Sequence, residues 1–181
     1  MARLSLPEIP TPEQEKVIAE AIAGKRGKVP APMIGWLPNP ELARRAQHLG
    51  ALLRYDTSLE PALSEIAILV CGRHWTSHHE WSAHKRIALE AGVDPRTVAD
   101  IAARKPDPFA RNDRERIVLR VASVLLAQTK LPDALYAEGV AILGLRGMVD
   151  LVGILGYYSL VALTLNAFEL GLPEAHAPEL D

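Results

Sequence analysis

Cysteine is nearly absent: Cys71 is the only one in 181 residues. That excludes an intrachain disulfide, a cysteine-rich zinc site and a two-thiol redox centre. Excess charge of either sign is missing as well. The 20 Lys and Arg stand against 22 Asp and Glu, a formal net charge of -2. A polybasic or polyacidic binder is excluded on that balance, whereas a local charged pocket is not. No phosphate-binding glycine loop or nucleic-acid motif is present, and Gly144-Leu145-Arg146-Gly147 is too short to be either, so no nucleic-acid partner is expected. The start, Met1-Ala2-Arg3-Leu4 followed by Pro10-Thr11-Pro12, has no basic segment leading into an apolar run. The cytoplasm is the expected compartment.

What is present is apolar and helical. Hydrophobic residues make up 49% of the chain and charged ones 23%, enough for a substantial core in one domain. Thr11-Pro12, Asn39-Pro40 and Asp94-Pro95 each pair a capping residue with proline at the first helical position. Gly24, Gly92 and Gly171 with Pro173 supply stops. Helices are expected near 12–23, 41–53, 64–75, 77–91, 114–128 and 133–143, with a short one after Pro95 and a long apolar one from Met148 or Asp150 to Leu170. Gly144 to Gly147 should break the pattern, Lys25 to Pro38 should be an anchored loop, and Lys105 to Ala110 is the expected internal boundary. The fold class is all-α, with seven or eight helices. Leu151 to Phe168 is eighteen mostly apolar positions, at the lower edge of membrane-crossing length, but it lacks basic flanks. A buried helix is the expectation, with no membrane partner. The broad apolar faces at Ile66–Cys71 and Leu151–Leu165 predict a homo-oligomer, with Gly153 and Gly156 permitting close approach at its interface.

Chemistry concentrates between Glu65 and His84, which holds four of the six histidines and two of the three tryptophans. On a helix starting at Ser77, residues Ser77, Glu80 and His84 share one face. Glu80 and His84 sit one turn apart, where they can hydrogen-bond or share a substrate proton, as general acid–base chemistry requires. Three readings stay open on residues alone: catalysis, structural hydrogen bonding, and a metal at His74, His78, Glu80 and His84. The zinc-protease pattern His-Glu-x-x-His is not met, since His84 follows His79 by five positions. Arg73 is a candidate for an anionic substrate group. His78, His79, Ser77 and Trp36 are the other candidate substrate contacts. Trp75, Trp81, Tyr157 and Tyr158 could join Trp36 around an aromatic pocket, as in a small-molecule-binding oligomer without catalysis, or fill cores.

These residues resemble the carboxymuconolactone decarboxylase family, within the AhpD-like fold. The resemblance is carried by Leu63-Ser64-Glu65-Ile66-Ala67-Ile68-Leu69, by His79-Glu80-Trp81-Ser82-Ala83-His84, by the Ala88 to Gly92 ending, and by Leu151 to Tyr158. It spans about two-thirds of the chain and makes residues 1–181 one such domain, with an N-terminal helical and loop extension at about 1–55. It implies an all-helical trimer or hexamer. It also implies a lyase that needs no metal or organic cofactor and acts on a small carboxylated lactone in aromatic catabolism. The family's glutamate–histidine pair falls on Glu80 and His84, and its upstream helix glutamate on Glu65. The hydroperoxidase branch has Cys-x-x-Cys where this chain has Ser77 and Glu80, which disfavours a thiol peroxidase.

Overall fold

The computed structural model describes residues 2–172 and 177–181; the stop signal expected at Pro173 lies outside them. Among the described residues there are eight helices and no strand: α1 (Pro12–Ala23), α2 (Ala31–Trp36), α3 (Pro40–Tyr55), α4 (Pro61–His74), α5 (His78–Glu90), α6 (Pro95–Ala102), α7 (Asp113–Gln128) and α8 (Asp133–Ala167). The all-α expectation holds.

Local chemistry sets most of the helix starts. Thr11 and Gln14 close a reciprocal capping box at α1, and the side chains of Asn39, Asp94 and Asn112 accept backbone N–H bonds at α3, α6 and α7. Proline stands in the first turn of α1, α2, α3, α4 and α6, where its missing N–H removes no helical bond. Two expectations are corrected. The segment 25–38 is not all loop, because burial of Met33 and Trp36 winds Ala31–Trp36 into the short helix α2. The break in the C-terminal run is a single residue, Gly144, at φ 75° and ψ 165°; helix resumes at once and runs through Gly147. Only glycine takes that backbone shape readily.

Helix α4 is the hub. Every residue from Leu63 to Arg73 is buried, because α5, α6, α7 and α8 pack around it. The apolar run Ile66–Cys71 within it, expected to help make a homo-oligomer, is covered inside the chain, which removes it as a ground for assembly. The connection at 105–110 does not divide the chain into independent units, since α4 packs against both α6 and α7. It is pinned instead: Thr97 donates to the Phe109 carbonyl at 2.7 Å, and the Phe109 N–H donates to Asp100 at 3.0 Å.

Helix α8 is long and apolar enough to cross a membrane by length and composition, and 56% of its most apolar stretch is buried inside the bundle. Gly153 serves packing within the chain: a Cβ there would come within 2.9 Å of Leu53 on α3. That corrects its expected place in a subunit contact. Gly156 faces open space. Beside it, Val149, Val152, Leu160 and Leu163 remain exposed, as do Leu49 and Leu52 on α3.

Candidate active site

A tight reversal builds the site. Helix α4 ends at His74, and Thr76, at φ 46°, turns the chain so that α5 runs back along α4. A β-branched residue in that region is uncommon and is held there by the packing of the two helices. The reversal brings Glu65, near the start of α4, against His84, nineteen residues later. His84 Nδ1–H donates to Glu65 Oε2 at 2.7 Å, and both side chains are buried. The expected partnership of His84 with Glu80 is therefore replaced by one with Glu65. Committing Nδ1 to a carboxylate leaves Nε2 as the imidazole nitrogen free for chemistry.

Glu80 lies one turn before His84, almost fully buried, and neither carboxyl oxygen has a hydrogen-bond partner among the described residues. Burial pushes its carboxyl well above the usual carboxylate range. That direction favours the protonated carboxyl, which has an O–H to give. The ring of Tyr158 meets His84 edge-on, with centroids 5.0 Å apart, and the Tyr158 hydroxyl is also buried without a partner. Burial raises that phenol as well. Tyr157 stacks edge-on against Tyr158 at 5.3 Å, and its hydroxyl occupies the space a side chain at Gly50 would need.

These groups share one cavity of about 420 Å³, lined by Glu80, His84, Tyr157 and Tyr158 together with His79 and Val161. Its other wall comes from residues N-terminal to α4: Arg26, Lys28, the stretch Val29–Pro32, Ile34 and Arg54. The segment 1–55 is therefore structural to the site. Arg26, Lys28 and Arg54 form no ion pair among the described residues, while Arg86, the fourth cation of the lining, pairs with Glu90 at 2.6 Å. Three cations without an ion pair among the described residues make a hollow suited to an anion. No periodicity or motif marks Arg26, Lys28 and Arg54, which come from separate segments.

The remaining candidates are distributed elsewhere. His79 lines the cavity, and its Nδ1 lies 3.1 Å from the Gly171 carbonyl. Ser77 and His78 line a neighbouring hollow of about 300 Å³ that His79 shares. Ser77 heads α5 but makes no side-chain capping bond. Trp36 stands behind the cavity wall, donating from Nε1 to Thr164 Oγ1 at 2.7 Å and supporting Tyr157 at 6.3 Å. Arg73 lies outside the cavity: Nε donates to the Ala102 carbonyl at 2.7 Å and the guanidinium pairs with Asp181. At about 100° per residue, position 73 leaves α4 roughly 80° around from position 65. His74 joins Arg73 in a different hollow, of about 220 Å³, with Arg104 and Lys105. Burial, and then the Arg104 charge, hold His74 below its ordinary value.

The quartet His74, His78, Glu80 and His84 is consequently spread over three hollows. Among the described residues no group of three or more His, Cys, Asp or Glu is gathered to hold a metal ion. Cys71 is buried, with its thiol pushed up to about 12 by burial first and the nearby Glu80 second. A thiol in that state is a poor nucleophile. No protein-family model matches this chain, and no curated protein is similar to it.

Proposed function

We propose that this protein is a cofactor-independent acid–base enzyme acting on a small carboxylated lactone or related oxoacid, as a decarboxylase or isomerase. The observation that carries the reading is the Glu65–His84 pair, with His84 opening beside the buried Glu80 onto a cavity whose Arg26, Lys28 and Arg54 form no ion pair among the described residues. The resemblance to the carboxymuconolactone decarboxylase family supports the same chemistry, and we propose membership of that family on the residues quoted above.

The division of labour follows from the charges. Arg26, Lys28 and Arg54 hold the carboxylate or carboxylates of the substrate. Glu65 keeps the His84 imidazole in one tautomer, so that Nε2 exchanges a proton with carbon. In decarboxylation the C–C electron pair moves into the conjugated carbonyl, carbon dioxide leaves, and His84, protonated at Nε2 by solvent beforehand, delivers that proton to the resulting enolate. In isomerisation His84 removes a proton and returns it at another carbon.

The test is a screen of carboxylated lactones and oxoacids that reads carbon dioxide release and, in deuterium oxide, exchange at carbon. Metal-stripped protein should retain turnover. H84A should lower kcat by about 10²–10⁴-fold, and E65Q should lower it while leaving the helical circular dichroism unchanged. Full activity in both variants would reject the reading.

The exposed strip Val149, Val152, Leu160 and Leu163 beside Leu49 and Leu52 supports a homo-oligomer with Gly156 at the contact, and the family resemblance implies a trimer or hexamer. Sedimentation should find a species larger than the 19.7 kDa chain. G156L should dissociate it, with overpacking on the order of 1–3 kcal/mol. A parent that stays monomeric at micromolar concentration sinks the proposal.

A further inference from the structure

We infer that Glu80 and Tyr158 together form an oxyanion site that binds the developing enolate oxygen of a carbonyl substrate while His84 moves the proton. The inference rests on the acid–base reading above and gives it a ligand class: carbonyl compounds that react through an enolate.

Three features converge on one imidazole. Glu80 precedes His84 by one turn of α5, and Tyr158 packs edge-on against the His84 ring from α8. Both are buried oxygens with no partner among the described residues, although nearly every buried polar group in a folded protein has one. Both line the cavity into which His84 opens. An unsatisfied buried O–H costs stability and is retained where a ligand supplies the acceptor.

The protonation states make the pair donors. Burial pushes the Glu80 carboxyl up, toward its O–H form, and raises a Tyr158 phenol that is an O–H at neutral pH in any case. A neutral carboxylic acid beside a tyrosine hydroxyl is an arrangement that stabilises enolates in a water-poor site, because both donors stand ready where charge develops. Glu80 then never takes the carbon proton; that task falls to His84 Nε2.

The step balances without a co-reactant. The C–H bond beside the carbonyl breaks, its proton goes to His84 Nε2, and its electron pair forms the C=C bond. The carbonyl π pair moves onto oxygen, which accepts hydrogen bonds from Glu80 and Tyr158. Return of the same proton to that carbon, or to a conjugated one, restores neutral His84.

A phenolate that also carries a carboxylate mimics such an enolate. The full chain is titrated with 4-hydroxybenzoate and its 3-fluoro and 3-nitro derivatives, following the phenolate absorption across pH. The expected result is capture as phenolate at a pH where the free compound is still phenol. Y158F and Glu80→Met should each weaken that capture about tenfold or more, with circular dichroism unchanged. Binding as the neutral phenol overturns the inference, as does phenolate capture that neither variant alters, since the rim cations then account for it alone. Turnover that depends on His84 without phenolate preference overturns the oxyanion site and leaves the proposed reaction standing. Phenolate capture sensitive to both variants, with no turnover of any lactone or oxoacid, does the reverse.

Discussion

Helices α5 and α7 begin with a glutamate in the same place, and the two glutamates have opposite lives. Glu80 and Glu115 each stand three residues after the capping residue, and each is only 2% exposed. Glu115 is fully engaged. Its carboxylate accepts from the Arg111 N–H at 2.8 Å and from the Arg111 guanidinium at 2.9 and 2.6 Å, while Asn112 caps the Glu115 N–H at 2.9 Å. Glu80 has none of this: Ser77 makes no capping bond, and neither Glu80 oxygen has a partner among the described residues. Ser77-His78-His79-Glu80 has the sequence of a capping box, yet the box stays open. Burial alone therefore says little about a charged residue. A buried acid with its partner holds a helix start together, and a buried acid without one stores an unmet demand that a ligand can meet.

The comparison is broken most forcefully at Glu115. E115A strips the Arg111 guanidinium of its partner and should destabilise the fold by about 3 kcal/mol, read by urea denaturation. Any activity still measured under folded conditions should be unaffected, because Glu115 is not among the cavity residues.

E80Q should act with the opposite sign. The Glu80 pKa is raised in the folded state, so its protonation favours folding fully below the ordinary carboxyl range. That advantage is lost as pH climbs from there through the folded value. Relative to wild type, E80Q should be neutral near pH 4 and then gain stability by up to about 1.4 kcal/mol per pH unit as pH rises. Denaturation of both proteins from pH 4 to 8 checks it. A difference that does not change with pH would mean Glu80 is ionised in the folded protein. Stability gained together with lost phenolate capture would identify Glu80 as a group whose cost is retained for function.

The caps give the finest contrast. N112A should cost about 1 kcal/mol, the usual worth of a bonded cap. S77A should change thermal stability by no more than about 0.5 kcal/mol, since no capping bond is lost. Equal losses at both positions would show that α5 is capped after all.

Much of the fold was legible in the sequence, because the signals are local. A capping side chain and a first-turn proline act within one turn of backbone, which is why Thr11, Asn39, Asp94 and Asn112 mark real helix starts. The apolar run Ile66–Cys71 reads as a face for a subunit contact, and the chain's own α5, α6, α7 and α8 cover it instead. Helix α2 was hidden because six residues carry too little periodicity; only the burial of Met33 and Trp36 makes it a helix. In the site, the segment from Glu65 to His84 stood out by composition. Its helix spacing suggested Glu80 for His84, and that spacing does not register a partner on another helix.

Sequence by itself determined the helical class, the position of most helix ends and the segment where polar groups gather, since each depends on neighbours a few residues apart. Tertiary structure alone decided that His84 bonds Glu65, that burial pushes the Glu80 carboxyl up, that Arg73 turns away to Asp181, and that Arg26, Lys28 and Arg54 close the cavity. Protonation and pairing depend on what surrounds a group in space. Packing places those surroundings nineteen to more than one hundred residues away along the chain.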